Sequence, residues 1–283
     1  MENNFVFLDL VSRVIRRVLF RFPGQVGCQR YEPRIYRTLV HFLRKATLQE
    51  FEVFLSGYVH FARNTSLGLD RRFHLEFIQI CNNVILHWVF VQKGNPDLVR
   101  TLMEKMLGLM QESNVNLALI WRPFTPVYSP SRLEGVTPLL YVAQIRQSSI
   151  LKILLQYGLL ERERCPMHIL LTILFYPPSP HILDELYYRN IIDDTKDCIA
   201  LCARVLTRIS VSDVETQIDF GRDPLIADWK DYIPVTRYRD PCELSHLCRA
   251  TIRWCLLGRI NLPKGIRELP LPPALQRFLN LES

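Results

Sequence analysis

The stretch GVTPLLYVAQIRQSSILKILLQYG, residues 135–158, reads as two helices and the signals that bound them. Thr137 carries a hydroxyl that can accept a hydrogen bond from an orphan amide of a first helical turn. Pro138 follows at the first helical position, where its missing N–H costs nothing. Leu139, Val142 and Ala143 make a short apolar face, with small Ala143 where another helix must approach. A polar break at Arg146–Ser149 ends this helix. Ile150, Leu151, Leu154 and Leu155 form the face of a second, and Gly158 stops it. The product is an antiparallel helical hairpin, and one such hairpin cannot bury its own apolar face.

The same helix–break–helix shape recurs on either side. CPMH, Cys165–His168, opens a unit 28 residues after Thr137. Ile85–Met103 reads as a helix, a Gly94-Asn95-Pro96 turn and a second helix; Leu39–Tyr58 and Ile199–Gln217 repeat the pattern. Strict strand alternation is absent. These segments predict an all-α helical solenoid over residues 31–225. From Thr137 to Gly158 the spacing resembles an ankyrin repeat, T-P-L-x-x-A-A followed by L-L-x-x-G, best expressed over 135–164. Leu140 stands where that family usually has His. The 28-residue interval falls short of the usual period of about 33, so the finger between these units is truncated. Two segments rich in proline and aromatics, Trp121–Gly135 and Phe220–Pro241, interrupt the solenoid and are expected on its surface, where a partner would touch.

Composition excludes several classes. Hydrophobic residues make up 48% of 283, enough for a substantial core and against general disorder. The net charge is +7, but the 35 basic residues are scattered and form no nucleic-acid-binding signature, so no specific nucleic acid is expected. None of the eight cysteines forms a C-x-x-C pair, and without a secretory signal they read as reduced, buried thiols. A metal set of Cys242, His246 and Cys248 is conceivable, but it lacks the closely paired ligands of structural zinc. No G-x-S-x-G, P-loop, H-E-x-x-H or G-x-G is present, and the seven histidines are scattered. No catalytic residue, cofactor or metal is therefore expected. Residues 1–30 carry Val11, Val14, Ile15, Val18 and Leu19 at helical spacing. They predict an amphipathic helix that packs on a neighbour in preference to a membrane surface. The longest apolar runs, near 84–91 and 169–176, are too short to span a bilayer.

In DPCELSHLCRATIRWCLLG, residues 240–258, Asp240 is the expected N-cap, with Pro241 in the first turn, Glu243 completing a capping box and Gly258 as the stop. Leu244, Leu247, Cys248 and Ile252 fall on one helical face, and Arg249 and Arg253 on an adjoining one. After an interval of 16 residues come Leu269-Pro270-Leu271-Pro272, expected as a stiff polyproline-like rod. Pro273 then opens a short helix carrying Leu275, Phe278 and Leu279.

A capped L-x-x-L-C-x-x-x-I helix followed by a terminal L-P-L-P resembles a SOCS box. With the repeats before it, the chain is identified as a member of the ankyrin repeat and SOCS box family. The resemblance implies a three-helix SOCS box within residues 226–283. It implies that Leu244, Leu247, Cys248 and Ile252 enter a groove of elongin C, itself bound to elongin B. It assigns Leu269, Pro270, Leu271 and Pro272 to a cullin, usually cullin-5, which carries the RING protein Rbx2. The expected role is a non-catalytic substrate receptor of a ubiquitin ligase, with the repeats holding a target protein. Its place would be cytoplasmic, with the nucleus as a second compartment. The alternative is a scaffold that engages elongins B and C without recruiting a cullin. Left uncovered, the apolar face would be a liability, so the helix is expected to need its partner.

Overall fold

Thr137 caps its helix as the sequence predicts. In the computed structural model its hydroxyl oxygen accepts a hydrogen bond from the Leu140 N–H at 3.2 Å, and Pro138 begins the first turn. The structure describes residues 32–63, 71–113, 136–175, 185–259 and 261–282. The expected helix within residues 1–30 and the Trp121–Gly135 loop lie outside the described residues. The described residues hold no β-strand, and no helix among them is long and apolar enough to cross a membrane.

Two compact units divide the chain after Val136. The first contains α1 (Glu32–Lys45), α2 (Leu48–Arg63), α3 (Arg71–Leu86) and α4 (Pro96–Ser113). Thr47 and Glu50 form a capping box at α2: the Glu50 N–H donates to the Thr47 hydroxyl at 3.3 Å, and the Thr47 N–H donates to the Glu50 carboxylate at 2.7 Å. α3 runs on into a π-helical stretch, His87–Lys93, before Gly94 turns the chain at φ +52°. Phe51, Phe54, Tyr58, Phe61, Phe77 and Trp88 fill the core, with the Phe51 and Trp88 rings 5.0 Å apart. α1 packs on α3 and α2 on α4.

The second unit contains α5 (Pro138–Ile145), α6 (Ser148–Gln156), α7 (Pro166–Phe175), α8 (Glu185–Val205) and α9 (Val211–Asp219). Two short 3₁₀ turns follow, then α10 (Leu244–Gly258), α11 (Lys264–Glu268) and α12 (Pro273–Leu279). α5 packs on α7, and α6 on both α8 and α5. Contact between each helix and the one two places on is the mark of a stacked solenoid, where each hairpin covers the open face of the one before it. The unit continues through residues 225 and 226 into the last three helices.

The polar break between α5 and α6 turns inward. Arg146 adopts a left-handed conformation, φ +56°, and is fully buried. Its Nε donates to the Ile173 carbonyl at 2.9 Å, tying the end of α5 to α7. α6 ends in a Schellman motif: the Leu159 N–H donates to the Leu154 carbonyl at 3.2 Å and the Gly158 N–H to the Leu155 carbonyl at 3.0 Å. Gly158 sits at φ +79°, and a Cβ there would lie 2.6 Å from Leu257 Cδ1 and 3.1 Å from Leu262 Cδ1. Conformation and space therefore both demand glycine where this turn meets α10. Gly158→Ala is expected to lower stability by about 1–3 kcal/mol, read from urea unfolding of the whole chain. An unchanged midpoint would mean that the turn and α10 do not meet as described.

Candidate functional site

α10 starts three residues later than the capping signal suggests. Glu243, not Asp240, precedes its first turn, and the Glu243 side chain makes no cap bond. Its carboxylate is drawn back to the Arg237 guanidinium and to the Thr236 hydroxyl, which donates at 2.7 Å. These two donors hold the Glu243 carboxyl down at about 2. Arg237 is buried and its Nε donates to the Ala203 carbonyl at 3.1 Å. Competition from a charged donor defeats the capping box, because a charge-assisted bond is the stronger one.

The inward face of α10 is polar. His246, Arg249, Arg253 and Leu257, at i, i+3, i+7 and i+11, are its buried residues. His246 Nε2 meets the Leu206 carbonyl at 3.1 Å, so Nε2 carries the proton and Nδ1 is left as an acceptor. Arg249 Nη2 donates to that Nδ1 at 2.6 Å, while its guanidinium carbon lies 4.3 Å from the centre of the Phe278 ring. Burial first, then the charges of Arg237 and Arg249, push the His246 imidazole down to about 4, so it is neutral. Arg253 reaches three segments. Nε donates to Glu161 at 2.6 Å, Nη2 to the Leu155 carbonyl at 2.5 Å and Nη1 to the Leu279 carbonyl at 3.1 Å.

The outward face is apolar. Leu244 is 76% exposed, Leu247 43% and Trp254 63%, and Cys248, Thr251 and Cys255 lie between them in solvent. Of the four residues assigned to this face from sequence, Leu244, Leu247 and Cys248 stand on it. Ile252 is at its border: half-buried, it packs against the cluster of Leu257, Leu262, Ile266 and Leu279. Arg249 and Arg253, expected beside the stripe, occupy the opposite, buried side. Trp254 escaped sequence reasoning, although its i+7 spacing from Leu247 and i+3 from Thr251 place it on the same face.

The L-P-L-P segment divides its residues. Leu269 and Leu271 are half-buried against the same four-residue cluster, whereas Pro270 and Pro272 are exposed. Leu269 (φ −70°, ψ 139°) and Pro272 (φ −54°, ψ 146°) have polyproline-like angles. The Leu271 N–H, however, donates to the Leu269 carbonyl at 2.8 Å, closing a γ-turn around Pro270. The segment is thus a bent strap rather than a straight rod. α12 begins at Pro273, as predicted.

A SOCS box family model matches residues 240–280, which span the strap and all three terminal helices. Ankyrin repeat and SOCS box protein 17 of Canis lupus familiaris is 53% identical over 278 residues, covering 98% of this chain and 94% of that protein. The protein of the same name from Mus musculus is also 53% identical over 278 residues, and that from Homo sapiens 50% over 277, each with the same coverage. This chain belongs to the ankyrin repeat and SOCS box family. No solved structure matches it.

Within this SOCS box, His246 faces inward with both ring nitrogens engaged, while Cys248 faces outward, so these two do not converge on a common point. Among the described residues, no three His, Cys, Asp or Glu side chains are grouped closely enough to hold a metal ion.

The neutral burial of His246 makes stability depend on pH. With its folded value near 4 and its unfolded value near 6.5, the unfolded chain takes up the proton first, so stability falls as pH drops through that window. The slope from this residue is at most about 1.4 kcal/mol per pH unit. Glu243 contributes its loss only below its ordinary value of 4.5. Urea midpoints taken from pH 7 to pH 5 should fall for the native chain and fall less steeply for His246→Gln. Equal slopes would place the imidazole in solvent.

Proposed function

We propose that this chain is the substrate-recognition subunit of an elongin B–elongin C–cullin-5–Rbx2 ubiquitin ligase. The observation that carries the reading is the outward apolar face of α10: Leu244, Leu247 and Cys248 lie exposed on a helix whose other side is anchored. Such a face suits a helix-in-groove partner, here elongin C. Each leucine withdrawn from water contributes about 1.5–3 kcal/mol when fully buried, so the pair supports firm association. Ile252 borders the groove. Pro270 and Pro272, with the outer edges of Leu269 and Leu271, meet the cullin. The chain does no chemistry of its own. It raises the effective concentration of a target, held by the repeats, near a ubiquitin-charged enzyme. It works in the cytoplasm.

One observation favours the alternative, a scaffold that binds elongins B and C without a cullin. Leu269 and Leu271 give part of their surface to the chain's own core, which leaves a small apolar area for a cullin. The two readings separate on co-purification. Leu247→Asp puts a carboxylate into an apolar groove and should abolish capture of elongin C from cells; retained capture would remove α10 as the docking element. Leu269→Ala combined with Pro270→Ala should keep the elongins and lose cullin-5. If the unaltered chain brings down elongins and never cullin-5, the scaffold reading holds.

A further inference from the structure

A substrate receptor places its target usefully only if the docking helix keeps a defined orientation to the repeats. The side chain built for this is Arg253. It is 1% exposed, and its nitrogens bond three separate pieces of chain: the last turn of α6 at Leu155, the following turn at Glu161, and the end of α12 at Leu279. We propose that Arg253 is a positioning residue whose guanidinium locks the SOCS box to the repeat hairpin α5–α6. The docking face of α10 is then held at one angle whether or not a partner is present. The value of this lock to ubiquitin transfer rests on the ligase reading; the lock itself does not.

Three further observations point the same way. Bonds parallel to those of Arg253 join the same two bodies. Gln156 Nε2 donates to the Asn280 carbonyl at 3.0 Å and Arg162 to the Leu257 carbonyl at 2.9 Å. Glu161 keeps its second carboxylate oxygen buried without a hydrogen-bond partner, a cost borne at this position for its pairing with Arg253. Gly158 lets the turn after α6 close onto Leu257 and Leu262, so the two bodies meet at contact distance. Apolar contact alone would tolerate sliding. A planar guanidinium with donors pointing in fixed directions does not, and a lysine ammonium cannot reproduce that fork.

Cys165, before α7, and Cys255, on α10, are both exposed and lie on opposite sides of the junction. Spin labels on this pair in the full chain, with Cys28, Cys242 and Cys248 changed to Ser, report the joint through pulsed electron resonance. The lock predicts a single narrow distance distribution in the partner-free chain. Arg253→Lys and Glu161→Ala should each broaden it. In the native-cysteine background, both variants should keep their helical circular dichroism and hold elongin affinity within about threefold. A folded Arg253→Lys chain with the original narrow distribution would overturn the proposal. Should that variant not fold, the same reading is taken from Glu161→Ala. A narrow distribution in the labelled chain, together with a native-cysteine chain that binds no elongin, would support the lock and remove the ligase reading.

Discussion

Taking a guanidinium out of water is costly unless its N–H groups find acceptors, and in this chain that requirement sets which way α10 faces. Arg253 finds its acceptors in Leu155, Glu161 and Leu279, all on the chain itself. On the same side Arg249 donates through Nη2 to His246, whose Nε2 donates to the Leu206 carbonyl, while the Arg249 Nε is buried without an acceptor and its guanidinium lies over the Phe278 ring. Once these three are inside, the helical repeat leaves Leu244, Leu247 and Trp254 no place but the surface. The usual rule for an amphipathic helix, apolar side inward, is inverted here. A partly apolar buried side remains, because Leu257 joins Leu262, Ile266 and Leu279 in a small core of the terminal helices.

This inversion bears on how the proposed docking face is presented. A helix held only by its apolar stripe would have to choose between its own fold and a partner. Anchored through arginines, α10 offers the stripe without giving up its hold on the chain, and association then need not carry the entropy of folding a helix. The strap makes a different compromise. Leu269 and Leu271 face the core while Pro270 and Pro272 stay outside, so a single segment both closes the terminal unit and presents a stiff edge.

Much of the fold was legible in the sequence because its signals are local. Thr137 and Pro138, Gly94-Asn95-Pro96 and Gly158 each mark a helix end by stereochemistry that needs no tertiary context, and each marks one in the structure. Spacing alone puts Leu244, Leu247 and Cys248 on one helical face, and the structure exposes all three. What spacing could not supply was direction. His246, Arg249 and Arg253 form a stripe as regular as the leucines, and choosing which one is buried requires knowing that Glu161 and the Leu155 and Leu206 carbonyls wait 40 to 98 residues upstream and the Leu279 carbonyl 26 residues on. The start of α10 failed for the same reason: Arg237 takes the Glu243 carboxylate that a capping box would have used. The inward turn of Arg146 and the π-helical stretch at His87–Lys93 likewise have no local signature.

Thiol footprinting tests the orientation of α10 most directly, because its outward side carries two cysteines. In the folded, partner-free chain, Cys248 and Cys255 should react with iodoacetamide while buried Cys198 and Cys202 do not; burial drives the Cys202 thiol up to about 12, which suppresses its reaction further. Saturation with elongins B and C should then shield Cys248. Protection of Cys248 in the chain alone, with the helix intact by circular dichroism, would mean that the apolar stripe faces inward and would contradict the account.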